Sequence, residues 1–210
     1  MEQEFVRQIG DSLKSIRRKK PLIHHITNYV TVNDCANITL AIGASPIMAD
    51  DIGEVAAITS ISSALVLNIG TLNERTIESM LAAGKRANEM KIPVIFDPVG
   101  AGASELRNKA TKRILHEVRI SVLRGNMSEM RFIAGLNSST KGVDASDADM
   151  QGGLEIGRSI AETVAKNYGC IAAITGATDF LSDGRRTMLL GNGTKLLSNV
   201  TGTGCMCTSL

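Results

Sequence analysis

Four short apolar stretches recur along this chain at helix-length intervals: Ala64–Ile69 (ALVLNI), Ile92–Phe96 (IPVIF), Ile120–Leu123 (ISVL) and Ile171–Thr175 (IAAIT). Each is apolar throughout rather than alternating, the mark of a strand buried on both faces. The segments between them carry helix signals. Thr71 and Glu74 form a T-x-x-E capping box ahead of a helix to about Met90, and Ser104 caps one through about Val118. A third helix, from about Leu154 to Asn167, precedes the last stretch. Strand and helix in alternation build a largely parallel sheet, through right-handed crossovers, with helices on both faces.

The flanking segments extend this pattern. Phe5, Val6, Ile9, Leu13 and Ile16 recur at helical spacing, Arg17 to Lys20 suit a helix C-terminus, and Pro21 ends the helix. Leu22–Ile26 is short and apolar, Val32–Ile42 reads as a helix ended by Gly43, Pro46–Ala49 as a strand and Glu54–Ile58 as a helix. Met127–Ala134 reads as a short helix and Leu136–Asp149 as a surface loop. Beyond Thr175 the pattern changes. Thr178–Ser182 and Thr187–Leu190 flank Asp183-Gly184 as a β-hairpin, with Leu196 and Leu197 as a further edge strand. The expected architecture is a single α/β domain over residues 1–210: a mostly parallel central sheet with helices on both faces and a β-hairpin near the C-terminal end.

Composition narrows the function. A net charge of +2 and an aromatic content of 3% offer neither the basic face nor the stacking platforms that nucleic acid needs. No apolar run reaches the roughly 18 residues of a membrane span, and the opening MEQEF has no apolar signal region. The four cysteines form no C-x-x-C pair, and Cys35 and Cys170 sit among apolar neighbours as small core residues, so the expectation is a cytoplasmic protein. His24 and His25 are adjacent on a strand and point to opposite faces, which keeps them from sharing a metal.

In open parallel sheets ligands bind beyond the carboxyl ends of the strands. Those ends carry Gly70 and Thr71; Asp97, Gly100 and Gly102; Arg124, Gly125, Asn126 and Glu129; and Thr175 with Gly176. Carboxylates on such a rim hold Mg2+ through water. Asp97 before Pro98 also suits a turn, and Asn126 with Glu129 also suits a helix cap. A sharper signal is Asn199-Val-Thr-Gly-Thr-Gly-Cys205. A G-x-G pair opening a helix frees the backbone N–H groups of Gly202, Thr203, Gly204 and Cys205 to cradle an anion. Such a cradle suits phosphoryl transfer, where positioning and electrostatics supply most of the catalysis. Cys205 is then placed to accept a proton from a substrate hydroxyl. The motif is no Walker loop, since no Lys follows its glycines.

Taken together, His25-Ile-Thr-Asn-Tyr-Val-Thr-Val-Asn-Asp-Cys-Ala-Asn37, Ala44-Ser-Pro-Ile-Met-Ala49, Asp97-Pro-Val-Gly-Ala-Gly102, Arg124-Gly-Asn126 with Glu129, Thr175-Gly176 and Val200-Thr-Gly-Thr-Gly-Cys205 resemble the hydroxyethylthiazole kinases of the ribokinase-like superfamily. The likeness runs in order from about Pro21 to Cys205. It implies phosphorylation of 4-methyl-5-(2-hydroxyethyl)thiazole with MgATP, for thiamine salvage, by a homotrimer with active sites between subunits. By position it implies that Asn28, Met48 and Gly202 line the thiazole pocket, that Arg124 and Thr175 hold ATP phosphates, and that Asp97 and Glu129 organise Mg2+. It implies Cys205 as the catalytic residue where most ribokinase-like enzymes have Asp, which favours the thiazole branch over a hydroxymethylpyrimidine kinase. On residue chemistry alone, Met48 also suits a core filler and Asn28 a turn.

Members of this family run some tens of residues past the G-T-G-C motif, whereas this sequence stops at Leu210. The expectation is therefore a domain lacking its final helices, with exposed apolar surface and weakened adenine binding. The alternative reading is a non-catalytic form that binds the thiazole or co-assembles with a full-length paralogue.

Overall fold

The computed structural model describes residues 2–136 and 147–210. Eight strands form one sheet: β1 (Leu22–Ile26), β2 (Ser45–Met48), β3 (Ala64–Asn68), β4 (Val94–Asp97), β5 (Val122–Asn126), β6 (Ile171–Thr175), β7 (Asp179–Ser182) and β8 (Thr187–Leu190). Their order is β2-β1-β3-β4-β5-β6-β7-β8. The first six are mutually parallel, and β7 and β8 close the sheet as an antiparallel hairpin. Helices α1 (Glu2–Lys19), α2 (Val32–Ile42), α3 (Val55–Ser60), α4 (Glu74–Glu89), α5 (Glu105–Glu117), α6 (Met127–Ile133), α7 (Asp147–Tyr168) and α8 (Thr203–Thr208) surround it.

The fully apolar strands explain this layout. Leu65, Leu67, Val94 and Phe96 are buried with Ile77, Met80 and Leu81 of α4 and Ile114 of α5 in one core that continues through Ile160, Ala161 and Val164 of α7. Alternate residues of the same strands face the other way. There Ile23, Val66 and Ile95 floor an apolar groove whose walls include Ile16 of α1, Ile42 of α2 and Ser209 beyond α8.

Several boundaries differ from the sequence reading, each for a local reason. The N-cap of α4 is Asn73, not Thr71. Asn73 accepts from the Thr76 N–H while the Thr76 hydroxyl accepts from the Asn73 N–H, so the box sits two residues later. Strand β5 extends to Asn126, so Arg124 and Gly125 lie within the strand instead of after it, paired with Ala173 and Ile174 of β6. Leu196 and Leu197 form no edge strand. They lie in a 3-10 turn, Lys195–Asn199, capped by the Thr194 hydroxyl, after Gly193 turns the chain at φ 147°. Helix α7 begins at Asp147, ahead of the expected Leu154. The loop expected over Leu136–Asp149 falls outside the described residues across 137–146.

Candidate active site

The parallel register brings the C-terminal ends of β1, β3, β4, β5 and β6 to one rim. Asn68 closes β3 directly opposite Asp97, which closes β4. On the next strands Asn126 stands opposite Thr175. Across the chain's midline α8 reaches back over this rim, and its approach is set by Gly202. That residue holds φ at 80°, and a Cβ there would stand 2.2 Å from Thr31 Cγ2. A side chain at 202 would therefore push the loop off Thr31. The first intrahelical bond runs from Met206 N–H to the Gly202 carbonyl at 2.8 Å, so the amides of Thr203, Gly204 and Cys205 precede the helical ladder.

Cys205 is the centre of a polar cluster. Its Sγ accepts from Asn28 Nδ2 at 3.2 Å and from Asn68 Nδ2 at 3.3 Å. Asn28 also donates to Asn68 Oδ1 at 3.0 Å, and Asn68 donates to Asp97 Oδ2 at 2.9 Å. The Thr208 hydroxyl, one turn on from Cys205, donates to the same Asp97 oxygen at 2.8 Å. Arg124 lies 3.7 Å from Asp97 Oδ2 and donates to Thr175 Oγ1 at 2.6 Å. Its guanidinium also presses on the loop, since a Cβ on Gly204 would come within 2.8 Å of Nη1. One connected arrangement thus holds Cys205, Asn28, Asp97, Arg124, Thr175 and the glycine loop.

Asp97 is 1% exposed, and burial raises its carboxyl to about 6 despite the opposing pull of Arg124 and the hydrogen bonds from Thr208 and Asn68. Its Oδ1 is buried without a partner. Glu129 is also buried, and both its oxygens are occupied. Oε2 accepts from the Asn126 N–H at 2.7 Å, completing a capping box, and Oε1 accepts from the Gly100 N–H at 2.8 Å. Glu129 is thus a helix cap that also ties the β5 end to the Asp97–Gly102 loop. Arg107 secures the same loop from α5, donating to the carbonyls of Val99 at 2.5 Å, Ile69 at 2.7 Å and Gly70 at 2.8 Å.

Met48 ends β2 opposite His25 and shares the rim by register, at a distance from the Cys205 cluster of two strands. Behind it His24 Nε2 lies 2.7 Å from the Ala49 carbonyl and Nδ1 lies 2.9 Å from Thr59 Oγ1, so His24 braces the start of the loop after Met48. The ring of His25 faces away from it, as adjacency on a strand requires. Among the described residues no group of three His, Cys, Asp or Glu side chains gathers as a metal cage.

Four members of the cluster escaped the sequence reading: Asn68, Thr208, Thr31 and Arg107. Asn68 gave the one usable signal. It is the single polar residue in the stretch ALVLNI, and a lone amide in a strand buried on both faces needs partners.

The model of the hydroxyethylthiazole kinase family matches residues 13–210. The hydroxyethylthiazole kinase of Clostridium beijerinckii is 69% identical over 210 residues, covering 100% of this chain and 76% of that protein. The solved hydroxyethylthiazole kinase protein of Pyrococcus horikoshii OT3 superposes with a TM-score of 0.85 at 40% identity, over 95% of this chain and 73% of that one. An adenosine kinase from Schistosoma mansoni, 12% identical, shares the ribokinase-like fold alone, with a TM-score of 0.53 over 92% of this chain and 66% of its own. By sequence and by fold, the chain belongs to the hydroxyethylthiazole kinase family.

Proposed function

We propose that this chain transfers the γ-phosphoryl group of ATP to the hydroxyl of 4-methyl-5-(2-hydroxyethyl)thiazole. The observation that carries this reading is the linkage of the Cys205 thiol to Asp97 through Asn68, with the Arg124 guanidinium 3.7 Å from the same carboxylate and packed against Gly204 of the glycine loop. In the reaction the substrate oxygen bonds to the γ-phosphorus, the bond from that phosphorus to the leaving ADP oxygen breaks, and the hydroxyl proton is released. Cys205 Sγ is the group placed to take that proton. Gly202, Thr203, Gly204 and Cys205 form the anion hole, with Arg124 and Thr175 on the phosphates. These groups are positioned before reaction, so their dipoles and charge meet the developing charge without reorganising. Asn28, Met48 and Gly202 line the thiazole side.

The rim also fits Mg2+. A hard cation takes oxygen ligands and keeps several waters, and the unpartnered Asp97 Oδ1 is a buried acceptor of that kind. Glu129, with an amide on each oxygen, would hold the ion's water rather than the ion. Bound there, Mg2+ would neutralise phosphate charge. The exposed apolar side chains Leu40 of α2, which packs on the edge strand β2, and Ile52, which follows β2, support assembly of a homotrimer with the pocket shared between subunits. A net charge of +2, four free cysteines and the absence of any long apolar helix among the described residues support a cytoplasmic location.

The test is product formation. Mass spectrometry of the thiazole alcohol incubated with MgATP and the protein should show the phosphate ester, reduced at least a hundredfold in Cys205→Ala and Asp97→Ala. Absence of product, with calorimetry showing thiazole binding and no nucleotide binding, would overturn the reading in favour of a ligand-binding protein. A faster reaction with a hydroxymethylpyrimidine would move the substrate assignment, and light scattering reports the trimer.

A further inference from the structure

We propose that Asn68 is a positioning residue of this site, the amide that hydrogen-bonds the Cys205 and Asp97 side chains directly and so holds one against the other. The proposal rests on the reading of Cys205 as the group facing the substrate hydroxyl.

The hydrogen bonds determine which way each amide points. Asn68 Oδ1 accepts from the Gly70 backbone N–H at 2.9 Å, so its NH2 group must face the other side. There it has one hydrogen for Asp97 Oδ2 and one for Cys205 Sγ. Asn28 is oriented in the same manner. Its Oδ1 accepts from the Thr31 N–H and hydroxyl, both at 3.1 Å, which turns its NH2 toward Asn68 Oδ1 and Cys205 Sγ. Four amide hydrogens therefore meet four acceptor positions with none left over, and two of the four end on one sulfur. Neither NH2 group has a lone pair to accept the thiol proton. Cys205 itself is partly exposed.

Only an amide fills position 68. Ser has one hydrogen and is too short to reach both partners, and Leu would strand the Gly70 and Asn28 donors in a site where Asn68 is 2% exposed. With Oδ1 taken by Gly70 and Asn28 and both amide hydrogens taken by Asp97 and Cys205, Asn68 acts by holding Cys205 and not by touching the phosphoryl group.

The experiment measures alkylation of Cys205 by iodoacetamide without substrates, followed by peptide mass spectrometry. It is done in a Cys207→Ser background because Cys207 is exposed, whereas Cys35 and Cys170 are buried. Asn68→Ser should slow alkylation of Cys205 at least fivefold at neutral pH. It should also lower kcat by about 10- to 100-fold, the cost of a misplaced reacting group, with KM for ATP within twofold. Asn68→Asp, which keeps the shape and the acceptor oxygen but loses the donor to sulfur, should do the same if the serine variant does not fold. A folded variant whose Cys205 is alkylated less than fivefold more slowly than the parent, or faster, overturns the proposal, whatever the activity. Slower alkylation in a protein that makes no phosphate ester supports the role of Asn68 while removing the kinase reading, so the two failures are separable.

Discussion

Gly202, Asp97 and Asn68 show how single residues set this site. At Gly202 two constraints coincide: a left-handed backbone and a Cβ position already filled by Thr31. Gly202→Ala should lower stability by about 2 kcal/mol and displace the loop, visible as a lower Tm together with a raised KM for ATP. Asp97 presents the opposite case, a charge kept where the fold disfavours it. Asp97→Asn removes that charge and should raise Tm while abolishing turnover, measured by thermal melting beside the assay. The rim residues with distinctive chemistry, Asp97, Arg124 and Cys205, were legible as candidates because their positions follow strand ends and a glycine pair. Asn68 and Thr208 were not, since their importance lies in partners 29 and 111 residues away in sequence.

Elements were legible where burial dictates pattern and illegible where local hydrogen bonds compete. All of the apolar stretches became strands, because a strand covered on both faces leaves no position for a polar residue without a partner. Caps were harder to place. Thr71 and Asn73 both offer a side-chain oxygen ahead of α4, and the choice falls on the residue whose partner three positions on, Thr76, can answer it. Asn73→Ala should cost about 1 kcal/mol in urea unfolding and leave KM for both substrates unchanged, whereas Thr71→Ala should cost less. The expected strand at Leu196 and Leu197 fails for a related reason: Thr194 caps a tight turn there instead of letting the chain run back beside β8.

Across the whole molecule, stability against pH is the sum of buried groups that oppose one another. Burial lowers His25 from 6.5 to about 4 and lowers His24 in the same direction. The unfolded chain therefore binds these protons first, and stability is lost as pH falls from about 6.5 toward 4, with His25 contributing on the order of 3 kcal/mol. Asp97, raised from 3.8 to about 6, works the other way: the folded state binds its proton first, so stability is gained as pH falls through about 6 to 4. Wild-type urea midpoints should consequently fall only moderately between pH 7 and 4.5. Asp97→Asn should steepen that fall, and His25→Phe should flatten it. The parallel sheet, its rim and the hairpin at its C-terminal end followed from strand–helix alternation and the Asp183-Gly184 turn, but the strand order and the reach of α8 across the rim depend on contacts that no local pattern encodes.

That reach also fixes when the site comes into being. The bonds from Asn28 and Asn68 to Cys205 close loops of 177 and 137 residues, and Thr208 closes another of 111 onto Asp97. Contacts between residues so far apart in sequence form late, after the local β–α units have condensed. During synthesis β1 through β6 emerge before residues 203–208, so the parallel sheet orders ahead of the contacts that close its rim. Pulse-labelled hydrogen exchange during refolding should find the amides of β3 to β5 protected first and those of α8 last. Activity should appear with the α8 phase and not with the sheet.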